Sequence, residues 1–104
     1  MTLKQLEYFL SCATLLNFRK AAQLHYLSPP TLTRHISNLE EELGVQLFQR
    51  DSHKVKLTEA GSSFFDSAYK MLVIYHKFYE QVNLSGQHLQ RHGRSCAQYI
   101  LAVG

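Results

Sequence analysis

Apolar residues recur three and four apart over four stretches of this chain and alternate with polar ones over a fifth. From Thr2 to about Leu16 the stripe is Leu3, Leu6, Phe9, Leu10, Ala13 and Leu16, the pattern of a helix with one buried face. Thr2 and Gln5 match a capping box at its start. Asn17 is the next N-cap candidate, and the helix it opens, Phe18 to about His25, is short; Phe18 and Leu24 are its expected anchors, with Ala21 and Ala22 small enough for close packing. The best-marked element follows. Ser28 is placed to cap it, Pro29 fits N1, where a missing N–H costs nothing, and Leu32, Ile36, Leu39 and Leu43 form one stripe before a Gly44 stop. At about 100° per residue, Pro30, Arg34 and Ser37 point away from that stripe, with Thr33 and Asn38 on its flank.

After Gly44 the period changes. Val45, Leu47 and Phe48 lead to Gln49-Arg50, Asp51-Ser52 reads as a turn, and Val55 and Leu57 alternate with Lys54 and Lys56. This is a hairpin whose tip and return strand carry Arg50, His53, Lys54 and Lys56. Thr58 then starts a helix of about 25 residues, roughly 37 Å long. Gly61, Phe64, Ala68, Met71, Tyr75, Phe78 and Val82 make a heptad seam along it, widened by Phe65, Leu72 and Tyr79, with Asp66 and Lys70 as an outer i, i+4 pair. So long a helix outruns a domain of its neighbours' size. The uncovered aromatic stripe calls for a partner helix, most simply from a second copy of the chain. From Asn83 to Ser95 the chain turns polar and reads as a hinge, and Tyr99 to Val103 is a short apolar run of buried-strand type.

Charge adds direction to the third helix. Its first half carries Arg34 and no acid, whereas its last turn carries Glu40, Glu41 and Glu42, which oppose the helix dipole and repel phosphate. If it enters a DNA groove, it does so by its N-terminal half, where small hydroxyl side chains approach base edges and an Arg can pair with guanine. Two short helices joined by Tyr26-Leu27, the second with a polar edge, make a helix-turn-helix pattern, and a basic hairpin beside it is a wing aimed at phosphate or the minor groove. Arg19 and Lys20, set against the dipole of the second helix, suit phosphate contact. Each of these features has a plainer reading, as a surface helix, a solvated hairpin or a solvated cation pair.

Composition agrees without being specific: 104 residues, 45% hydrophobic, net charge +3 with His neutral. Cys12 and Cys96 form no disulfide framework, which suits a reduced cytosolic protein, and neither a signal-peptide layout nor a membrane-length apolar run is present. His88 and His92 have metal-compatible spacing but lack further ligands, so neither a metal nor a cofactor is assigned.

Together these residues resemble the N-terminal winged helix-turn-helix of LysR-type transcriptional regulators. The marks are Leu6 with Tyr8-Phe9, Phe18 with Ala21-Ala22, and Ser28-x-Pro30-x-Leu32-x-Arg34-x-Ile36. Leu39-Glu40-x-x-Leu43-Gly44, Leu47-Phe48-x-Arg50 and Leu57-Thr58-x-Ala60-Gly61 continue them. The resemblance implies a mainly α fold: three helices and a β-hairpin wing over 1–58, a linker or dimerisation helix over 59–85, and at 86–104 a hinge and the start of a truncated effector-binding domain. It implies Ser28, Pro30, Thr31, Thr33 and Arg34 facing the major groove, with Ser37 and Asn38 on the same helix. It also implies Arg19, Lys20, Arg50, His53 and Lys54 at phosphate or in the wing contact. Phe64, Ala68, Met71, Tyr75, Phe78 and Val82 fall in the dimer seam. Two positions depart from the pattern: members usually carry Gln at Pro29 and often Arg at His53, and Pro30 disfavours α geometry at Pro29. The small-molecule effector site of such regulators is absent from this chain.

The leading expectation is therefore a cytoplasmic, dimeric or higher-order, sequence-specific binder of double-stranded DNA. A second is an interaction module that pairs with a longer regulator and binds DNA weakly or not at all. Enzyme chemistry is the weakest, since no Ser/His/Asp set, Gly-rich phosphate loop or metal cluster has the required context.

Overall fold

The computed structural model describes residues 1–51 and 54–84. Its elements are α1 (Leu3–Leu15), α2 (Phe18–Leu24), α3 (Pro29–Leu43), β1 (Phe48–Arg50), β2 (Val55–Leu57) and α4 (Glu59–Leu84). The caps that set these bounds are the ones the residues foretell. Thr2 accepts from the Gln5 N–H while the Gln5 side chain accepts from the Thr2 N–H, a complete capping box. The Asn17 side chain accepts from the Lys20 N–H, and Ser28 Oγ from the Thr31 N–H. Gly44 ends α3 at φ 73°, in the left-handed region that costs glycine nothing. Leu16 ends α1 in the same region at φ 50°, without that exemption.

The core gathers one face of each helix and the base of the hairpin. Phe9, Leu10 and Cys12 from α1, Ala21 and Ala22 from α2, Leu32, Ile36 and Leu39 from α3, Leu47, and Ala68 from α4 are closed to solvent. Phe9 is the hub, with ring centroids 5.5 Å from Phe48 and 5.0 Å from Phe64. Burial pushes the Cys12 thiol up to about 12, so it is a small buried hydrophobe and a poor nucleophile.

Several edges of the expected core lie outside it. Leu3 and Leu16, the ends of the α1 stripe, are exposed, as is Val45. Leu24 is 54% exposed, and His25 takes the inward position instead. On a helix that faces the core with Phe18, Ala21 and Ala22, residue 25 completes the stripe and residue 24 falls about 100° off it. Pro29 and Pro30 are both helical, at N1 and N2. The bias against α geometry before a proline is overcome here, because neither ring has a preceding helical turn to strike and neither position needs an N–H.

The hairpin is antiparallel, with Phe48 opposite Leu57, Gln49 opposite Lys56 and Arg50 opposite Val55. Thr58 joins it to α4. The Thr58 N–H donates to Leu47 O (3.0 Å) and its hydroxyl to Gln46 O (2.6 Å), while Thr58 Oγ1 accepts from the Gly61 N–H (2.9 Å). Gly61 sits so close to the hairpin that a Cβ there would lie 2.1 Å from Leu47 O. The first half of α4 packs on the domain. Ala68 and Leu72 are buried and Phe64, Phe65, Tyr69 and Met71 are partly so. Its second half exposes Ile74 (66%), Phe78 (59%) and Val82 (54%), one row at spacings of four. The heptad seam thus divides. Ala68 is fully covered by its own chain, and Ile74, absent from the predicted seam, is the most exposed apolar residue of this row. The i, i+4 polar contact on this helix is His76 Nε2 with Glu80 Oε1 at 3.0 Å, not Asp66 with Lys70, among the described residues.

Candidate nucleic-acid interface

The third helix turns its apolar stripe wholly inward, which leaves the opposite edge to solvent. Ser28, Pro29, Pro30, Thr31, Arg34, Ser37 and Asn38 are all exposed, and Thr33 is half-buried on the flank. Arg34 has no hydrogen-bond or ion-pair partner among the described residues, so its guanidinium is uncommitted. The hydroxyls of Ser28 and Thr31 are 2.8 Å apart and bonded to one another. That pairing turns the first turn less polar than its sequence suggests: two of its three residues lack an N–H and the third donates to Ser28.

The three acids at the end of α3 have three different situations. Glu40 is half-buried, and its Oε2 accepts from the N–H groups of Leu47 (2.7 Å) and Phe48 (3.2 Å). Its Oε1 lies 3.9 Å from Arg50 Nη2. Glu42 is paired with the N-terminal ammonium of Met1. Glu41 alone points away from the core with no such partner among the described residues. At about 100° per residue, positions 40 and 42 flank the stripe on opposite sides and 41 lies behind it, so the difference is readable from spacing.

The basic residues also separate. Arg19 and Lys20 are exposed in the first turn of α2, and Lys54 and Lys56 are exposed on the hairpin. Arg50 is held: its Cζ lies 4.6 Å from the Phe18 ring centroid as well as beside Glu40. The hairpin tip is closed by the Asp51 N–H donating to Lys54 O (2.9 Å). Asn83 and Leu84, read as the start of the hinge, are the last residues of α4, whereas Ser52, His53, the rest of the hinge, the His88–His92 pair, Cys96 and the apolar run at 99–103 lie outside the described residues. An open polar groove runs between the second half of α3 and the hairpin, lined by Ser37, Glu40, Gln46, Gln49 and Arg50.

Behind the groove face is a cluster that the pattern reading passed over. His25 Nε2 is 2.9 Å from Ser11 Oγ, and the Tyr8 ring stands edge-on to His25 (4.8 Å) and tilted against His35 (5.1 Å). Burial, with a smaller push from Lys4, lowers the His25 pKa to about 4, so the ring is neutral at pH 7. The cluster ties α1, α2 and α3 together under the exposed edge and belongs to its support.

Among the described residues no group of three metal-ligating side chains occurs, and no helix is long and apolar enough to cross a membrane. Comparison with known proteins agrees with this geometry. Residues 3–62 match the model of the bacterial regulatory helix-turn-helix protein, lysR family. The HTH-type transcriptional regulator TfdT of Cupriavidus pinatubonensis is 42% identical over 74 residues, 71% of this chain and 32% of that protein. A probable cat1 operon transcriptional activator of Acinetobacter lwoffii is 38% identical over all 104 residues, again 32% of its length. The chain thus spans about a third of the length of these two curated relatives. Among solved structures, the BenM_DBD/catB site 1 DNA complex is similar at TM-score 0.79 and 37% identity, covering 83% of this chain and 97% of that one. Full-length CbnR complexed with target DNA is similar at TM-score 0.75 and 32% identity, covering 80% and 29%. With a family match over more than half of its residues and the winged architecture to carry it, this chain belongs to the lysR family of bacterial regulatory helix-turn-helix proteins.

Proposed function

We propose that this chain is the sequence-specific DNA-binding part of a bacterial transcription regulator, working as a dimer in the cytoplasm and carrying no enzymatic activity. In this reading α3 enters the major groove, N-terminal half first, and Arg34 pairs with a guanine edge. Thr33, Ser37 and Asn38 lie along the same approach. Arg19 and Lys20 at the start of α2, and Lys54 on the wing, take phosphates and supply the salt-dependent share of affinity. The observation that carries the reading is the exposed α3 edge, with its arginine uncommitted while Leu32, Ile36 and Leu39 face inward. The solved relatives similar to this fold include complexes with DNA, which supports the same reading.

Pairing runs through the second half of α4, where Ile74, Phe78 and Val82 form an apolar row that the described residues leave exposed. Two-fold pairing there presents two α3 helices to inverted half-sites. We expect binding sites selected from random DNA to be inverted repeats, and affinity for them to fall steeply as salt rises. Binding that ignores both sequence and salt overturns the proposal. The same open row also suits a longer relative as partner. Co-purification with such a relative, together with no DNA binding by the homodimer, would favour an interaction module instead.

A further inference from the structure

The position of Arg50 in the hairpin would assign it to phosphate. Its surroundings argue for a different task. The guanidinium lies over the Phe18 ring, its Cζ 4.6 Å from the centroid, and its Nη2 is 3.9 Å from Glu40 Oε1. Phe18 in turn stands edge-on to Phe48 at 5.2 Å, and Glu40 receives the N–H groups of Leu47 and Phe48 where the chain enters the hairpin. One residue of β1 is thus clamped between the start of α2 and the last turns of α3. Arg50 pairs with Val55 across the hairpin, directly beside Lys54, and the Asp51–Lys54 bond closes the tip above it. Whatever fixes Arg50 therefore fixes the aim of Lys54, the exposed cation beside its cross-strand partner.

We propose that Phe18, Arg50 and Glu40 form a strut that holds the wing at its angle to α3, so that Arg50 is a positioning residue for DNA binding rather than a phosphate contact. The inference rests on the DNA-binding reading above. A planar guanidinium can lie on a ring and face a carboxylate at once; an ammonium offers no plane to do both. The two roles therefore separate in the variant R50K, which keeps the charge and loses the plane.

The test uses the full chain and a duplex selected from random DNA, with R50K, F18L, E40Q and R50M compared by salt titration and hydroxyl-radical footprinting. If the strut operates, R50K and F18L lose the wing-side protection and keep the α3 footprint, each weakening binding by about tenfold. Their plots of log affinity against log salt flatten by about 0.9, the share of the single phosphate that Lys54 no longer reaches. In the free proteins, amide exchange at Gln49 and Lys56, the hydrogen-bonded pair of the hairpin, quickens while α1–α3 stay protected. A direct phosphate contact gives the opposite pattern: R50M alone flattens the slope, while R50K and F18L bind like the parent, and this overturns the proposal. Unchanged hairpin exchange in both R50K and F18L overturns it without reference to DNA. If the parent chain binds no duplex, the DNA-binding reading fails first, and the exchange result then says separately whether the strut exists.

Discussion

At the scale of single residues, His25 is an imidazole placed where a helix of this pattern has its core side chain. Burial holds its pKa at about 4, against 6.5 unfolded. Between those values the unfolded ring takes up a proton that the folded ring refuses, so acid favours unfolding there. Stability should be fully held above pH 6.5 and fall as pH drops towards 4, by up to about 2 kcal/mol once the ring's partial exposure is allowed for. The difference between the parent and His25→Leu, followed by urea melts across that window, isolates the histidine from the carboxylates that titrate beside it. Gly61 makes a sharper demand. An added methyl would meet the Leu47 carbonyl at 2.1 Å, with helix and hairpin both fixed by Thr58. We expect Gly61→Ala to cost about 3 kcal/mol in a urea melt, at the upper end for overpacking.

The elements show which of these roles the amino-acid order discloses. The third helix is marked at every level: a capping serine, prolines where no N–H is needed, a stripe at four, three and four, and a glycine stop. Its bounds are those the residues predict. The second helix is seven residues long, too short for periodicity to separate Leu24 from His25 until the direction of Ala21 and Ala22 is known. The acids at 40–42 look alike as a run, and only their angular positions distinguish the wing support from its neighbours. Arg50 is legible as a cation, but the Phe18 ring that holds it is 32 residues away in the chain, beyond any local pattern. The double proline gives α3 its own test. With no amide at position 29 and the Ser28 and Thr31 hydroxyls bonded together, the leading edge would offer ring carbons to the bases in the proposed complex. Pro29→Gln should change the base preference of selected sites next to that edge and leave affinity for unselected DNA within about twofold.

For the molecule as a whole, the division of α4 matters most. Its length was readable from the heptads, but the point where the domain stops covering it was not, because Ala68 and Leu72 repeat like their exposed successors and differ only in what lies opposite. If pairing uses the Ile74, Phe78 and Val82 row, Phe78→Glu places a charge in the seam and should yield monomers in sedimentation velocity. A single α3 on one half-site should then bind the inverted repeat at least about a hundredfold more weakly. The helical content of the monomer should persist in far-UV circular dichroism, since the domain itself covers little of that side chain.

Thr58 gives this arrangement a mechanical character. One side chain anchors the first turn of α4 to the carbonyl of Gln46, and its backbone anchors the same turn to Leu47. The hairpin is thus geared to the shaft beside it. In the proposed dimer, a torque that turned one α4 about its twin would swing both α3 helices at once, and the separation at which two half-sites can be gripped would be set at the far end of the shaft.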